Sequence, residues 1–465
     1  VYTMPEFLER RYNPQSRTIL SVISLVSYVL TKVAVTVYAG GLVFQQVFGI
    51  KELWGIDFFW IAAIGLVVLT ALYTIFGGMK SVLYTSVLQT PILLLGSLII
   101  LVLGFKELGG WDEMMRVCGA VTVNDYGDTM TNLIRSNDDA NFPWLGALIG
   151  SAIIGFWYWC TDQFIVQRVL SGKNEMEARR GTIFGAYLKL LPVFLFLIPG
   201  MIAFALHQKY IGAGGEGFLP MLANGTANAD AAFPTLVAKL LPAGVKGLVV
   251  CGILAALMSS LASLFNSSAM LFTIDFYKRF KPETPEKKLV GIGQIATIVI
   301  VVLGILWIPI MRSVGDVLYT YLQDVQSVLA PGIAAAFLLG ICWKRTSAQG
   351  GMWGLISGMV IGLTRLGAKV YYSNAGEVAD STFKYLFYDM NWLFFCGWMF
   401  LFCIIVVIVV SLATEAPTAE KIQGLVFGTA TKEQKAATRA SWNHWDIIHT
   451  VIILAITAAF YWYFW

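Results

Sequence analysis

The chain has 465 residues, of which 57% are hydrophobic and 13% are charged, and its mean hydropathy is +0.71. This balance excludes an ordinary soluble domain and predicts an all-α polytopic membrane protein. The net charge of +4 does not indicate nucleic-acid binding, because the basic residues are dispersed between apolar segments. The six cysteines lack the spacing of a disulfide framework or a metal site. We find no phosphate-binding loop, serine-hydrolase motif or zinc-peptidase motif, so we predict that the protein is not an enzyme.

Apolar segments recur along the whole chain, and a helix that crosses a bilayer needs about 20 such residues. We predict about eleven spans, at 18–48, 56–76, 82–105, 142–169, 181–207, 245–276, 289–310, 317–342, 351–368, 392–412 and 447–465. Alternate connecting segments are rich in Lys and Arg, and the positive-inside rule makes these segments cytoplasmic. The protein is therefore predicted to be a multi-pass protein of the plasma membrane with Trp465 on the outer side.

The segment 254–277 is apolar enough to span a membrane, yet small and hydroxyl residues recur along it. Steps of three and four residues place them on one helical face, which comprises Ala256, Ser259, Ser260, Ser263 and Ser267. One interpretation is close helix packing, since small residues let helix backbones approach each other in membranes. The other is a cation site, in which the Ser259 and Ser260 hydroxyls and the Ala256 carbonyl replace part of the water shell of an alkali ion. The residues alone leave both interpretations open.

Two lysines lie inside predicted spans, Lys32 in 18–48 and Lys189 in 181–207. A charge at membrane depth is a functional candidate by default. The alternative is that the long side chain snorkels to the membrane surface.

Aromatic and amide side chains form a further group of candidates. Tyr158 and Trp159 belong to the run GFWYWCTDQ, where rings lie beside hydrogen-bonding groups. That combination suits the apolar faces and the hydroxyls of a sugar, although an aromatic belt at the membrane surface gives the same pattern. Tyr319 and Gln323 are one turn apart on a single face of a later span.

These stretches together resemble the solute:sodium symporter family, and within it the sodium/glucose cotransporters. The similarity covers almost the whole chain and is carried above all by YTIFGGMKS at 73–81, WYWCTDQFIVQR at 157–168 and AALMSSLASLFNSSAMLFTIDFY at 255–277. It implies a LeuT-like core of two inverted five-helix repeats with extra C-terminal spans, and ligands near the bilayer midplane. The implied divisions are the end of the first repeat at 1–105, the second repeat at 142–342 and peripheral spans at 347–465.

Carried over position by position, the resemblance makes the Ala256 carbonyl and the Ser259 and Ser260 hydroxyls ligands of a co-transported sodium ion. The resemblance also implies substrate contacts. Tyr158 closes the inner side of the sugar pocket and Trp159 lines it, while Lys189 and Gln323 bind sugar hydroxyls. Tyr319 stands at a gating position where Phe is usual, and Lys32 is a further contact.

The chain departs from the family pattern at some positions. Gly155 stands where family members carry Asn or Ser, and Ser86 stands where Asp is common. Because some members bind a second sodium with the help of that Asp, Ser86 predicts one sodium per sugar. The resemblance also implies about three further spans before this chain begins, with additional sodium and sugar ligands on them.

We therefore predict a sodium-coupled secondary active symporter that imports a monosaccharide of the glucose or galactose type by alternating access. Its predicted partners are the sugar, sodium and the lipid bilayer. The alternatives are a sodium-coupled symporter for myo-inositol or another small solute, and a sugar-gated sensor or channel on the same fold. The sequence does not indicate an oligomeric state.

Overall fold

The computed structural model describes residues 3–222, 225–314, 317–375 and 378–464, and it describes the backbone alone for residues 73, 75–83, 85, 88 and 312–314. Trp465 lies outside the described residues, and so do most side chains of the 73–81 motif. Within the described residues the secondary structure is helical apart from a small hairpin of β1 (Glu52–Leu53) and β2 (Ile56–Asp57) and two isolated bridges.

The helices follow one another along the whole chain. They are α1 (Met4–Arg11), α2 (Pro14–Ser27), α3 (Ala34–Phe48), α4 (Phe58–Leu108), α5 (Trp111–Gly119), α6 (Trp144–Phe156), α7 (Gln163–Leu170), α8 (Glu175–Pro192), α9 (Ile198–Gly212), α10 (Ala232–Leu240), α11 (Ala243–Met270), α12 (Lys278–Phe280), α13 (Glu286–Val314), α14 (Leu318–Cys342), α15 (Ala348–Asn374), α16 (Thr382–Lys384), α17 (Trp392–Ala413), α18 (Ala419–Ile422), α19 (Lys432–Ala440) and α20 (His444–Tyr463). Wider π-helical turns join several of them at Tyr28–Val33, Trp157–Thr161, Val193–Leu197, Leu271–Tyr277 and Tyr385–Asp389, and a 3-10 turn lies at Ala229–Ala231.

In the described part of the chain, nine helical stretches are long and apolar enough to cross a membrane. They are Pro14–Phe48, Gln89–Leu108, Trp144–Thr161, Glu175–Gly212, Ala243–Phe280, Glu286–Met311, Leu318–Cys342, Trp392–Ala413 and His444–Tyr463. Each overlaps one predicted span. The predicted span 56–76 falls partly on the shorter apolar stretch Phe58–Leu72, and the span 351–368 falls within α15. The protein is thus a multi-pass membrane protein, as its composition predicts.

Helix α4 corrects one detail of the predicted order. We expected two helices at 56–76 and 82–105, separated at Gly77 and Gly78, whereas the backbone is helical from Phe58 to Leu108 without a break. A glycine inside a helix is less favourable than alanine by only about 1 kcal/mol.

By packing, the chain divides into two units, each composed of three segments. The first unit comprises Val1–Ala34, Asn137–Ile183 and Ser267–Val451, and the second comprises Val35–Ser136, Phe184–Asn266 and Ile452–Trp465. Each unit has its own apolar core, which in the first includes Leu8, Phe337 and Leu393 and in the second includes Ile100 and Ile202. The divisions into inverted repeats stay a prediction.

Helices α14 and α15 of the first unit approach each other closely at glycines. A Cβ added at Gly362 would lie 2.2 Å from the Val328 carbonyl oxygen, and one added at Gly332 would lie 2.9 Å from the Gly358 Cα. Residues larger than glycine would force these backbones apart. Small residues therefore set the distance between the two helices, as is common in membrane proteins.

The C-terminal end of α14 is capped by side chains from the start of the chain. The fully buried Arg11 donates from Nε to the Gly340 carbonyl at 2.7 Å and from Nη2 to the Trp343 carbonyl at 3.2 Å. The Tyr12 hydroxyl donates to the Ala336 carbonyl at 2.7 Å. The last carbonyls of a helix have no intrahelical partner, and a cation there also interacts favourably with the helix dipole. Burial nevertheless lowers the pKa of the Arg11 guanidinium from its ordinary value.

Candidate functional site

The predicted sodium ligands lie on α11, in the second unit. Ser259 is buried, and Ser260 and Ala256 are half-buried. The Ser259 Oγ lies 2.5 Å from the Ser86 Oγ of α4, a hydrogen bond in which either hydroxyl can donate. The sequence singled out both serines, but it did not predict that they touch.

The contact follows from close packing of α4 against α11. A Cβ at Gly96 would lie 2.4 Å from Val249 Cγ2, and a Cβ at Gly252 would lie 3.0 Å from Ile92 Cγ2. Because α11 runs without a break through Ala256, that carbonyl accepts the usual helical hydrogen bond from the residue four positions later. A carbonyl oxygen has a second lone pair, so the Ala256 oxygen can still face a cation.

Lys32 lies in a π-helical turn of the first unit, where its charge has a partner. Its Nζ forms an ion pair with Asp162 Oδ2, and the two side chains are only 10% and 3% exposed. The ammonium also lies 4.7, 5.5 and 4.3 Å from the ring centres of Tyr28, Tyr158 and Phe164. These are cation–π distances, so aromatic rings stabilise the charge in addition to the carboxylate.

Asp162 is held in place by two further donors. Its Oδ1 accepts hydrogen bonds from the Tyr28 hydroxyl at 3.2 Å and from the Phe164 backbone N–H at 3.2 Å. The second bond makes Asp162 the N-cap of α7. Lys32 is therefore anchored to the start of a helix and is not a mobile cation that snorkels to the membrane surface.

The predicted aromatic contacts Tyr158 and Trp159 lie in the π-helical turn Trp157–Thr161. Here the Thr161 hydroxyl donates to the Trp157 carbonyl at 2.8 Å, and the Asp162 N–H donates to the same carbonyl at 3.0 Å. The Tyr158 and Trp159 rings meet edge to face with centres 5.1 Å apart. Trp159 is 51% exposed while Tyr158 is partly buried. A π-helical turn of this kind often marks a functional site.

Helix α14 contributes the amide and phenol predicted to contact the sugar. Gln323 Nε2 donates to the Tyr319 hydroxyl at 2.8 Å, one turn away, and Tyr319 is 55% exposed. On another side of the helix, Tyr321 is buried, and its hydroxyl accepts from Trp307 Nε1 at 2.6 Å and donates to the Leu30 carbonyl at 3.0 Å. Helix α14 packs against both π-helical turns, Tyr28–Val33 and Trp157–Thr161.

The structure thus places Lys32, Tyr158, Trp159, Tyr319 and Gln323 on packed elements of the first unit. Lys189 belongs to the second unit, where it lies on α8 with an exposed side chain. Sequence reasoning did not predict the carboxylate partner of Lys32, because 130 positions separate the two residues. The signal in the sequence was an aspartate, Asp162, three positions after Trp159 in a mostly apolar segment.

The residue range 1–358 matches the sodium:solute symporter family. The chain belongs to this family, whose members couple transport to sodium.

Curated relatives agree with this assignment along most of the chain. The sodium/mannose cotransporter SLC5A10 of Bos taurus is 35% identical over 486 residues, which cover all of this chain and 80% of the relative. Sodium/myo-inositol cotransporter 2 of Homo sapiens is 35% identical over 441 residues, which cover 92% of this chain. Sodium/glucose cotransporter 1 of Ovis aries is 37% identical over 432 residues, which cover 89% of this chain. The matched part spans 64% of the length of each of the latter two relatives.

A solved structure shares the fold. It is the substrate-bound, outward-open state of a Na⁺-coupled sialic acid symporter, which is 21% identical to this chain and has a TM-score of 0.66. The match covers 90% of this chain and 78% of the other. The LeuT-like fold implied by the sequence resemblance is therefore confirmed.

Proposed function

We propose that this protein is a sodium-coupled symporter of the plasma membrane that imports a monosaccharide of the glucose or galactose type by alternating access. The observation that carries the proposal is that two aromatic rings and a hydrogen-bonded polar pair lie on elements of the first unit that pack against each other. The rings are those of Tyr158 and Trp159, and the polar pair is Gln323 with Tyr319. Relatives described as sodium/mannose and sodium/glucose cotransporters support the same class of substrate.

The chemistry of a sugar explains why these groups suit it. A pyranose ring has apolar C–H faces, which pack on aromatic rings, and equatorial hydroxyls, which donate and accept hydrogen bonds. The Gln323 amide both donates and accepts, and the Tyr319 hydroxyl does the same. When a sugar lacks the hydroxyl that such a group binds, the bound sugar covers that polar group and leaves it unpaired, which makes the site selective.

Sodium binding is assigned to the Ser259 and Ser260 hydroxyls and the Ala256 carbonyl. Neutral oxygens suit a monovalent hard cation that must be released again, since a carboxylate would bind it more strongly. The half-buried Ser260 is accessible from the surface of α11, whereas Ser259 is held by its bond to Ser86. Sodium binding and sugar binding together would give the coupling that secondary transport requires.

A second substrate also has specific support. The human relative described as sodium/myo-inositol cotransporter 2 is as similar to this chain as the bovine sodium/mannose cotransporter, at 35% identity. Myo-inositol is also a six-membered ring with C–H faces and ring hydroxyls, although its ring is all carbon, so the rings and amide of the first unit could bind it in a similar way. A sugar-gated sensor would also keep the pocket but would not accumulate the sugar.

Uptake by purified protein in liposomes distinguishes these functions. Radiolabelled glucose, galactose, mannose and myo-inositol are each supplied with an inward sodium gradient, with an equal potassium gradient, and with sodium plus an ionophore that collapses the gradient. We expect sodium-driven accumulation of a hexose, which excess unlabelled substrate abolishes. Preferential accumulation of myo-inositol would favour the second substrate, and sugar-evoked current without accumulation would indicate a sensor.

A further inference from the structure

The residue after Gln323 is an aspartate that faces α15 and meets two cations there. Asp324 is 8% exposed. Its Oδ2 forms an ion pair with Lys369 Nζ, and its Oδ1 lies 3.7 Å from Arg365 Nη2. Arg365 and Lys369 are one turn apart on α15, so both reach the same carboxylate. None of these three residues belongs to the predicted sodium or sugar ligands.

The two cations have different surroundings. Arg365 is fully buried, donates to the Met390 and Leu386 carbonyls at 2.7 and 3.3 Å, and lies 4.0 Å from the centre of the Phe395 ring. These contacts anchor Arg365 independently of Asp324. Lys369 is the cation that binds the carboxylate directly, and its side chain is 20% exposed.

The ion pair of Asp324 with Lys369 holds one face of α14 against α15. Successive residues of a helix differ by about 100° in direction, so a carboxylate held against α15 sets the direction of the preceding side chain. The glycine contacts at Gly332 and Gly362 fix the distance between the same two helices. Within α14 the Ser327 hydroxyl donates to the Asp324 carbonyl at 2.6 Å, which adds a local tie at this turn.

A purely stabilising role explains this arrangement poorly. Taking three charges out of water is unfavourable, and a buried ion pair is often no more stable than apolar residues of the same volume. Here two cations surround one carboxylate, which leaves one positive charge in excess. Such a cluster is better explained by what it positions, and the preceding residue on α14 is Gln323, whose hydrogen-bonded partner is Tyr319.

We propose that Asp324 is a positioning residue for the sugar: through Lys369 and Arg365 it fixes the rotation at which α14 presents Gln323 and Tyr319. This inference rests on the proposed function, since it takes Gln323 as a sugar ligand. Asp324 itself does not touch the sugar. Its removal is expected to weaken sugar binding through Gln323 and to leave sodium binding unchanged.

The test measures equilibrium binding by detergent-purified, monodisperse protein. Sugar binding is measured with the preferred radiolabelled hexose at saturating sodium, and sodium binding is measured without sugar. The variants are Asp324→Asn, Lys369→Met, Gln323→Ala and the double variant Asp324→Asn/Gln323→Ala. Asp380→Asn is the matched control, because it removes the carboxylate of an exposed ion pair with Lys384, at 2.8 Å, in the same unit.

We expect Asp324→Asn to raise the sugar dissociation constant roughly tenfold, which is typical of coupled neighbours. Lys369→Met is expected to cause a smaller rise, because Arg365 remains near the carboxylate. In the Gln323→Ala background, Asp324→Asn is expected to have no further effect. Should Asp324→Asn not fold, Lys369→Met with and without Gln323→Ala gives the same comparison.

The outcomes separate this inference from the proposed function. The positioning role is wrong if the double variant Asp324→Asn/Gln323→Ala raises the sugar dissociation constant by the product of the two single effects. It is also wrong if Asp324→Asn and Lys369→Met bind sugar as the parent does. In both cases the sugar site itself stands. If Gln323→Ala binds the sugar like the parent, the sugar site itself is wrong and the inference fails with it. An Asp380→Asn protein with equally weakened binding would show a general effect of charge and would also overturn the proposal.

Discussion

The Ser259 hydroxyl of α11 lies 2.5 Å from the Ser86 hydroxyl of α4. One of the two predicted sodium-binding hydroxyls is therefore already hydrogen-bonded to a neighbouring helix, and the residue that holds it is neutral. This contact bears on how many sodium ions the site can bind and on which serine is most sensitive to substitution.

We expect one sodium per sugar. With serine at position 86, a second cation beside Ser259 would meet only neutral dipoles at membrane depth. The free energy of a charge there is unfavourable unless an opposite charge compensates it. A tenfold sodium gradient supplies about 1.4 kcal/mol, and 100 mV supplies about 2.3 kcal/mol per charge. The sum, about 3.7 kcal/mol, limits sugar accumulation to several hundredfold.

The measurement of stoichiometry is the reversal potential of sugar-coupled current as external sodium is varied. A slope that requires two ions per sugar would contradict the interpretation of Ser86. The Ser86→Asp variant is informative in either case, since an added carboxylate beside Ser259 is expected to strengthen sodium binding.

Ser260→Ala should strongly reduce sodium-driven uptake in a protein that still folds. It removes one neutral oxygen from a partly desolvated cation, a loss of about 1.5–3 kcal/mol by comparison with hydrogen bonds to charged groups. The sodium concentration for half-maximal uptake is the quantity to measure. Ser268→Ala is the control, because Ser268 is a buried serine of the same helix whose Oγ has no hydrogen-bond partner among the described residues. Equal sodium dependence in both variants would mean that Ser260 only packs against a neighbouring helix.

Gln323→Ala is expected to weaken sugar binding more than it weakens the fold. The Gln323 amide is partly exposed, and among the described residues its side chain bonds only to Tyr319. Its loss therefore leaves no buried group unpaired. Tyr319→Phe removes the hydroxyl of the same bond and keeps the ring, and it should give a smaller effect. Sugar affinity and thermal unfolding midpoint are measured side by side. A large fall in the midpoint with unchanged affinity would contradict the assignment.

Lys32→Met is expected to destabilise the protein by about 3–5 kcal/mol, because it leaves the nearly buried Asp162 carboxylate without its cation. The double variant Lys32→Met/Asp162→Asn removes both charges and should recover much of that loss. Thermal unfolding in detergent checks both. A single variant as stable as the parent would show that Asp162 does not need the lysine.

The sequence predicts the spans well because apolar length is a local property that any window reveals. It predicts much less about partners. Lys32 and Lys189 carry the same signal, a lysine inside an apolar segment, yet one is held between a carboxylate and three rings and the other is exposed on α8. Only packing between segments far apart in the chain decides such differences.

Local geometry is a second limit of sequence reasoning. Lys32, Tyr158 and Trp159 all lie in π-helical turns, and Gly77 and Gly78 lie inside a continuous helix. Periodicity assumes 3.6 residues per turn, so it does not register a wider turn that redirects a side chain. The pattern that singled out Ser259 and Ser260 as candidates lies on α11, which is regular throughout this region.

The cap that Arg11 forms on α14 has a consequence for biogenesis. Arg11 precedes Gly340 by 329 positions, and at about 5–20 residues per second the ribosome needs roughly 20–60 s to make that stretch. During this interval the guanidinium must stay hydrated at the membrane surface, because nothing yet exists to receive it. Docking of α1 is thus a late event of assembly, and an inserted but unfinished chain would expose this short helix, with two glutamates and two arginines, to quality-control proteases until α14 is made.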